Sequence, residues 1–375
     1  MKNLGPQFVE SIRDNQKIRQ RLGYEDPFYF SLLYLKHHFN YPLAPFHLEM
    51  FHLIRQTECD FIVVMAFRES GKSTILNTAN VLWSILGKPG KKFVVIMSKT
   101  QEQAKNHFAN IKSELMNNQW LKEDFGPFTE RPEEWNKLSL ELEYHGAKIL
   151  SVTPSESVRG MKHLQYRPDL IILDDVEDAQ SVRGDSTRGE TMYQKFSGEL
   201  VPLGSGSTRI VVLGNLLSVA FSDDHLVLRL RKDIVDEKLK GIFRGYPLID
   251  NNGTCLWPGK YPTRNSLKVL RDKLTRGTWQ REYLLKTFGQ RDDDPPHPLF
   301  YEDPKGSWEA RKMMEIYEQY DTVPIDGEND VIKQIPLIRQ MERSDITAPT
   351  IRPMTFFPTR DDPRYRRYME GLLLD

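Results

Sequence analysis

Six consecutive apolar residues, Phe61–Ala66, run directly into Phe67-Arg68-Glu69-Ser70-Gly71-Lys72-Ser73-Thr74, after which helical spacing takes over. An apolar run of that length reads as a strand buried on both faces. A Gly-Lys-Ser turn between such a strand and a helix has the form of a phosphate-binding loop. Backbone N–H groups of the loop and of the helix N-terminus can wrap a β-phosphate, where the helix partial charge favours an anion. Ala66 to Thr74 is therefore expected to cradle ATP, with Lys72 reaching the β- and γ-phosphates and Ser73 ligating Mg2+. Ala66 stands where such loops usually carry Gly, so φ there must stay negative.

Further apolar runs recur at Phe93–Met97, Leu170–Leu173 and Ile210–Leu213, with helical patterns at Lys72–Leu86, Gln101–Asn117, Ser186–Leu200 and Asn265–Arg276. Leu138–Tyr144 and Lys148–Val152 alternate around His145-Gly146, the pattern of a β-hairpin. Strand–helix alternation predicts a P-loop NTPase three-layer α/β/α domain with a mainly parallel central sheet over residues 60–290. Residues 1–59 read as a helical N-terminal arm carrying an adenine-pocket region. Residues 291–375 read as an irregular, Pro-rich acidic C-terminal tail. That tail holds 12 Lys/Arg against 18 Asp/Glu and 10 of the 23 prolines, leaving 40 Lys/Arg against 34 Asp/Glu in residues 1–290. The zero net charge of the 375-residue chain removes an overall basic character but leaves room for local basic patches. Two cysteines exclude a disulfide framework, and no apolar run approaches the ~20 residues of a membrane span, so a soluble intracellular protein is expected.

The second chemical signal is Asp169-Leu170-Ile171-Ile172-Leu173-Asp174-Asp175-Val176-Glu177-Asp178. A buried strand ending in acids sets carboxylates at the C-terminal edge of the sheet, beside the phosphate loop. Asp174 is expected to hold Mg2+, directly or through water, and Asp175 or Glu177 to orient the attacking water. An acidic cap on the next helix is the competing reading. Arg68 could touch the γ-phosphate in cis. Arg159, in Ser157-Val158-Arg159-Gly160, could also neutralise transition-state charge or be a plain surface residue. Arg183 and Arg188 are weaker candidates for action across a subunit interface. Asn215, after the run Ile210–Leu213, can donate and accept, which suits a γ-phosphate sensor as well as a turn. Phe46 and His47 could form an adenine pocket, with a hydrophobic staple as the rival reading. For DNA contact the cations available are Lys88, Lys91 and Lys92, then Arg229, Arg231, Lys232, Lys238, Lys240 and Arg244, although a solvated charged face would look the same.

Several stretches, in order, resemble the large terminase subunits of tailed bacteriophages. They are Ala44-Pro45-Phe46-His47, Arg68-Glu69-Ser70-Gly71-Lys72-Ser73 and Ile96-Met97-Ser98-Lys99-Thr100. Ser157-Val158-Arg159-Gly160, Arg167-Pro168-Asp169 leading to Asp174-Asp175, and Leu256-Trp257-Pro258 complete the set. The resemblance covers residues 44 to 290. It implies an ATPase that translocates double-stranded DNA in the host cytoplasm, working as a pentameric ring on a portal protein and procapsid with a small terminase subunit. Such proteins usually continue into an RNase H-like nuclease domain. Residues 291–375 offer acids such as Asp321 and Asp326 without strands to carry them, so nuclease activity is expected on a separate polypeptide or not at all. The alternatives are a helicase-like nucleic-acid ATPase and a nucleotide-gated adaptor without useful turnover.

Overall fold

The computed structural model describes residues 15–56, 59–128, 138–177, 192–215, 226–250 and 253–286. The expected tail over 291–375, including Asp321 and Asp326, lies outside these residues, as do Arg183 and Arg188 and the first part of the Ser186–Leu200 helix.

Seven strands form a single sheet: β1 (Phe61–Ala66), β2 (Phe93–Ser98), β3 (Ser139–Leu142), β4 (Ala147–Val152), β5 (Leu170–Asp174), β6 (Arg209–Gly214) and β7 (Gly241–Tyr246). Their spatial order is β3-β4-β2-β5-β6-β1-β7. Only the β3–β4 hairpin is antiparallel, and all other neighbours run parallel. Gly146, at φ +57°, makes the left-handed turn that closes the hairpin.

The period-2 alternation of each strand divides its side chains between two cores. Ile62, Val64, Val94, Ile96, Leu170, Ile172, Val211 and Leu213 face one core. Val63, Met65, Val95, Met97, Ile171, Leu173, Ile210 and Val212 face the other. The first face is covered by α1 (Gln16–Glu25), α2 (Pro27–Tyr34), α3 (Pro45–Arg55), α4 (Asn80–Leu86), α5 (Gln101–Asn117) and α6 (Gln119–Phe125). The second is covered by the Phe196–Leu200 and Val201–Leu203 turns and by α7 (Leu226–Val235). The protein is thus a three-layer α/β/α fold with a mainly parallel central sheet. Helices α1 to α3 do not stand off as an arm: Leu22, Phe30, Met50 and Leu53 are fully buried in the same core as the sheet.

Side-chain caps set several helix starts. Asp26 accepts the Phe28 N–H at the start of α2, and Thr100 accepts the Gln103 N–H at the start of α5. The helix after the phosphate loop begins with a π-helical segment, Thr74–Ala79, before continuing as α4. Strand β7 has no counterpart among the apolar runs read from the sequence. It is an edge strand and carries Arg244, one of the cations offered for DNA contact. Arg244 is buried, with Nε 2.5 Å from Glu49 Oε1 on α3, so it cannot reach a duplex. Arg231 is buried too, stacked over Phe243. Arg229 lies 3.6 Å from the Tyr193 ring centroid, and Lys88 pairs with Glu25 at 2.8 Å.

Candidate active site

Strand order decides which side chains meet. Strand β6 lies between β1 and β5, so the phosphate loop after β1, Asn215 after β6 and the acids ending β5 share one C-terminal sheet edge. In register, Met65 pairs with Gly214 and Asp174 with Leu213. This edge of a parallel sheet is where ligands of such folds bind.

The loop itself is shaped by two left-handed residues, Glu69 (φ +61°) and Gly71 (φ +83°). Ala66 is not in the left-handed region, so it meets the condition set for a residue in place of Gly. His47 supports the loop from behind. Its Nδ1 accepts the Ala44 N–H at 2.8 Å, which leaves Nε2–H to donate to the Ser70 carbonyl at 2.7 Å. Burial pushes its pKa down to about 3, so the ring is neutral. A Cβ on Gly71 would come 3.4 Å from His47 Nε2. The expectation of an adenine-reading edge at His47 is corrected here: both ring nitrogens are engaged within the chain. Phe46 is buried among Phe67, Tyr246 and Trp257.

Lys72 and Ser73 reach the β5 acids. Lys72 Nζ donates to Asn215 Oδ1 at 3.0 Å and stands 3.4 Å from Asp175 Oδ2. Ser73 Oγ lies 3.0 Å from Asp174 Oδ1. Mg2+ holds its oxygens at 2.0–2.1 Å in an octahedron, which puts adjacent ligands ~2.9 Å apart. The Ser73–Asp174 spacing therefore fits two neighbouring ligands of that ion. Burial raises the pKa of the Asp175 carboxyl; Lys72 opposes the rise and Asp174 adds to it.

The remaining arginines and Glu177 are engaged elsewhere. Arg68 Nη1 pairs with Glu282 Oε2 at 2.6 Å, and its backbone N–H donates to the Glu282 carbonyl at 2.7 Å. The exposed Arg159 pairs with Glu199 at 3.4 Å, so its contact is with the Phe196–Leu200 turn and not with the phosphate loop. Glu177 Oε1 accepts the Leu226 N–H at 2.8 Å, at the start of α7; the start of the helix that follows the acidic run, where the competing reading put a cap, lies outside the described residues.

Sequence reasoning missed the polar shell around Asp174. Asn77 Nδ2 donates to Asp174 Oδ2 at 3.0 Å, and His107 Nε2 stands 3.6 Å from the same oxygen. Asn77 was within reach of the sequence, because it lies four residues after Ser73 on one helix face. His107 gave a weaker signal, as a polar neighbour of the buried Phe108 on α5. Glu282, and Lys260, which pairs with Glu69 at 2.7 Å, are about 200 residues from the loop in sequence and had no local signal.

No family model matches the chain, and no curated protein matches it in sequence. Solved structures similar to it include the HK97 bacteriophage large terminase, at TM-score 0.45 and 16% identity over 65% of this chain and 50% of that one. The large terminase ATPase domain of Thermus phage P74-26 is similar at TM-score 0.41 and 14% identity, over 63% of this chain and 90% of that one. The DEAD-box helicase Mss116, bound to ssRNA and UDP-BeF, is similar at TM-score 0.37 and 16% identity, over 65% of this chain and 45% of that one. The chain spans about half the length of the HK97 protein. What it is similar to, then, is the ATPase region of phage large terminases and, with a lower TM-score, a helicase; the chemistry of the site rests on its own geometry.

Proposed function

We propose that this chain is an ATP-hydrolysing motor that translocates double-stranded viral DNA into a capsid, the ATPase part of a large terminase subunit. One observation carries the hydrolytic half: Lys72, Ser73, Asp174, Asp175 and Asn215 converge at one sheet edge, within 3.0–3.4 Å of one another in pairs. Lys72 would exchange its contacts with Asp175 and Asn215 for the β- and γ-phosphates. Ser73 and Asp174 would hold Mg2+, with Asn77 fixing the second Asp174 oxygen. The ion supplies neutralisation of charge on the β- and γ-oxygens. Asp175, freed from Lys72, would orient and accept a proton from the attacking water; burial, by raising its pKa, makes it the better acceptor. Glu177 is the lesser candidate because it caps α7.

Arg68 would reach the γ-phosphate only by leaving Glu282. Arg159, exposed and paired with Glu199 among the described residues, suits action on a neighbouring subunit in a ring. The packaging role, with its portal, procapsid, small terminase subunit, pentameric ring, separate nuclease and cytoplasmic setting, is supported by the ordered motifs from Ala44 to Pro258. A helicase-like motor is the second reading, favoured by the Mss116 likeness but not by the single sheet among the described residues. Phosphate release with and without blunt duplex DNA, alongside an unwinding assay on a tailed duplex, separates the two. Stimulation by the blunt duplex without strand separation is expected; ATP-dependent unwinding would contradict the packaging role.

A further inference from the structure

A cluster of ligand-type side chains lies outside the phosphate site, where the short 3-10 turn Lys36–His38 after α2 packs on α5. His37 Nε2 and His38 Nε2 lie 2.7 and 2.9 Å from the same oxygen, Glu114 Oε1. The second oxygen of Glu114 accepts from Asn118 Nδ2 at 2.8 Å, and the same amide also donates to the Tyr34 carbonyl at 2.7 Å. The carboxylate is thus oriented by a partner that is itself tied to α2. One ligand atom from each of His37, His38 and Glu114 lies within 4.8 Å of the others.

We propose that His37, His38 and Glu114 bind a divalent first-row transition cation such as Zn2+, which pins the turn after α2 to α5. Two imidazoles and a carboxylate suit such an ion and are poor partners for Mg2+, which takes oxygen ligands. Donor atoms around a four-coordinate zinc at 2.0–2.2 Å sit ~3.3 Å apart, so binding opens the two contacts to Glu114 by about half an ångström and brings the two imidazole nitrogens, which lie within 4.8 Å of each other, to that same spacing. His37 has a side chain 58% exposed, which leaves an entry path and a place for water as the fourth ligand, while Glu114 is 8% exposed. Binding would move the Nε2 protons of the imidazoles to Nδ1 or release them, because the metal takes the Nε2 lone pair. Glu114 lies two turns beyond His107 on α5, and His107 faces Asp174, so the brace acts on the helix that flanks the phosphate site.

The test uses the full chain, stripped with chelator and titrated with Zn2+ against a chromophoric zinc indicator in millimolar Mg2+, added to compete for the Ser73–Asp174 pair proposed above. Wild type, His37→Ala and Glu114→Gln are compared, with Co2+ absorption as a second readout. Wild type is expected to show one site that each substitution weakens by at least the ~10–100-fold known for lost outer-shell partners. Zn2+ should raise the melting temperature of wild type but not of His37→Ala, and Co2+ should give four-coordinate bands in wild type alone. Equal zinc affinity in wild type and His37→Ala, or no uptake by wild type at micromolar Zn2+, overturns the site. Because His37 is exposed, its substitution keeps the test decisive even if Glu114→Gln fails to fold.

Discussion

At the tip of β5 the backbone enters the left-handed region at Asp175, φ +48°, an uncommon conformation that aspartate tolerates better than most residues. That turn leaves the carboxylate 3.4 Å from Lys72 instead of continuing the strand. If Asp175 orients the water, Asp175→Asn should lower kcat by ~10²–10⁴ while nucleotide binding persists. Glu177→Gln should instead lower stability by about 1 kcal/mol through a weakened cap and leave kcat nearly intact. Phosphate release and fluorescent-nucleotide titration on both variants check this; the reverse pattern would move the role to Glu177. His47 gives a second residue-scale expectation. Its folded pKa is pushed down to about 3, against ~6.5 for a free imidazole. Between these values the unfolded chain takes up a proton that the folded chain refuses, so stability is lost as pH falls from about 6.5 towards 3. His52, pushed down to about 4, acts with the same sign. Urea melts from pH 7 to pH 4 should therefore show a shallower loss in His47→Gln than in wild type; identical slopes would mean that His47 is not held neutral by the fold.

At the scale of elements, the contact that ties β7 to α3 is the buried pair Arg244–Glu49. Removing one partner leaves a buried charge uncompensated, so Glu49→Ala should cost ~3–5 kcal/mol. Denaturant melts test this, and a loss under 1 kcal/mol would mean that Arg244 is solvated. The same pair explains why β7 was not legible in the sequence. Gly241-Ile242-Phe243-Arg244-Gly245-Tyr246 has too few apolar residues to read as a buried strand, and its arginine reads as a surface cation until Glu49 is brought 195 residues across the fold. Strands β1, β2, β5 and β6 were legible because each is apolar on both faces, the mark of a parallel sheet covered by helices. The phosphate loop and the β5 acids were legible for the same reason, since they directly follow such runs. Glu282 and Lys260 were not, because they meet the loop only through tertiary packing.

At the scale of the molecule, one sheet edge gathers the phosphate loop, the acids and Asn215, while several cations offered for DNA contact are spent on internal partners. Arg244 and Arg231 are buried, and Lys92 Nζ donates to the His145 carbonyl at 2.7 Å. The zero net charge divides into 40 Lys/Arg against 34 Asp/Glu before residue 291 and the reverse imbalance from there on, so any surface for the proposed duplex has to be a local one. Any duplex stimulation of hydrolysis should fall steeply between 50 and 200 mM salt if phosphate contacts carry it, and a salt-independent effect would argue against a backbone track. The most direct test of the central claim is Mg2+-dependent phosphate release from ATP by wild type and Lys72→Ala, measured with double-stranded DNA present. Turnover by wild type that falls to background in Lys72→Ala, with the variant still folded, is the predicted result. No turnover by wild type above that of Lys72→Ala would contradict it.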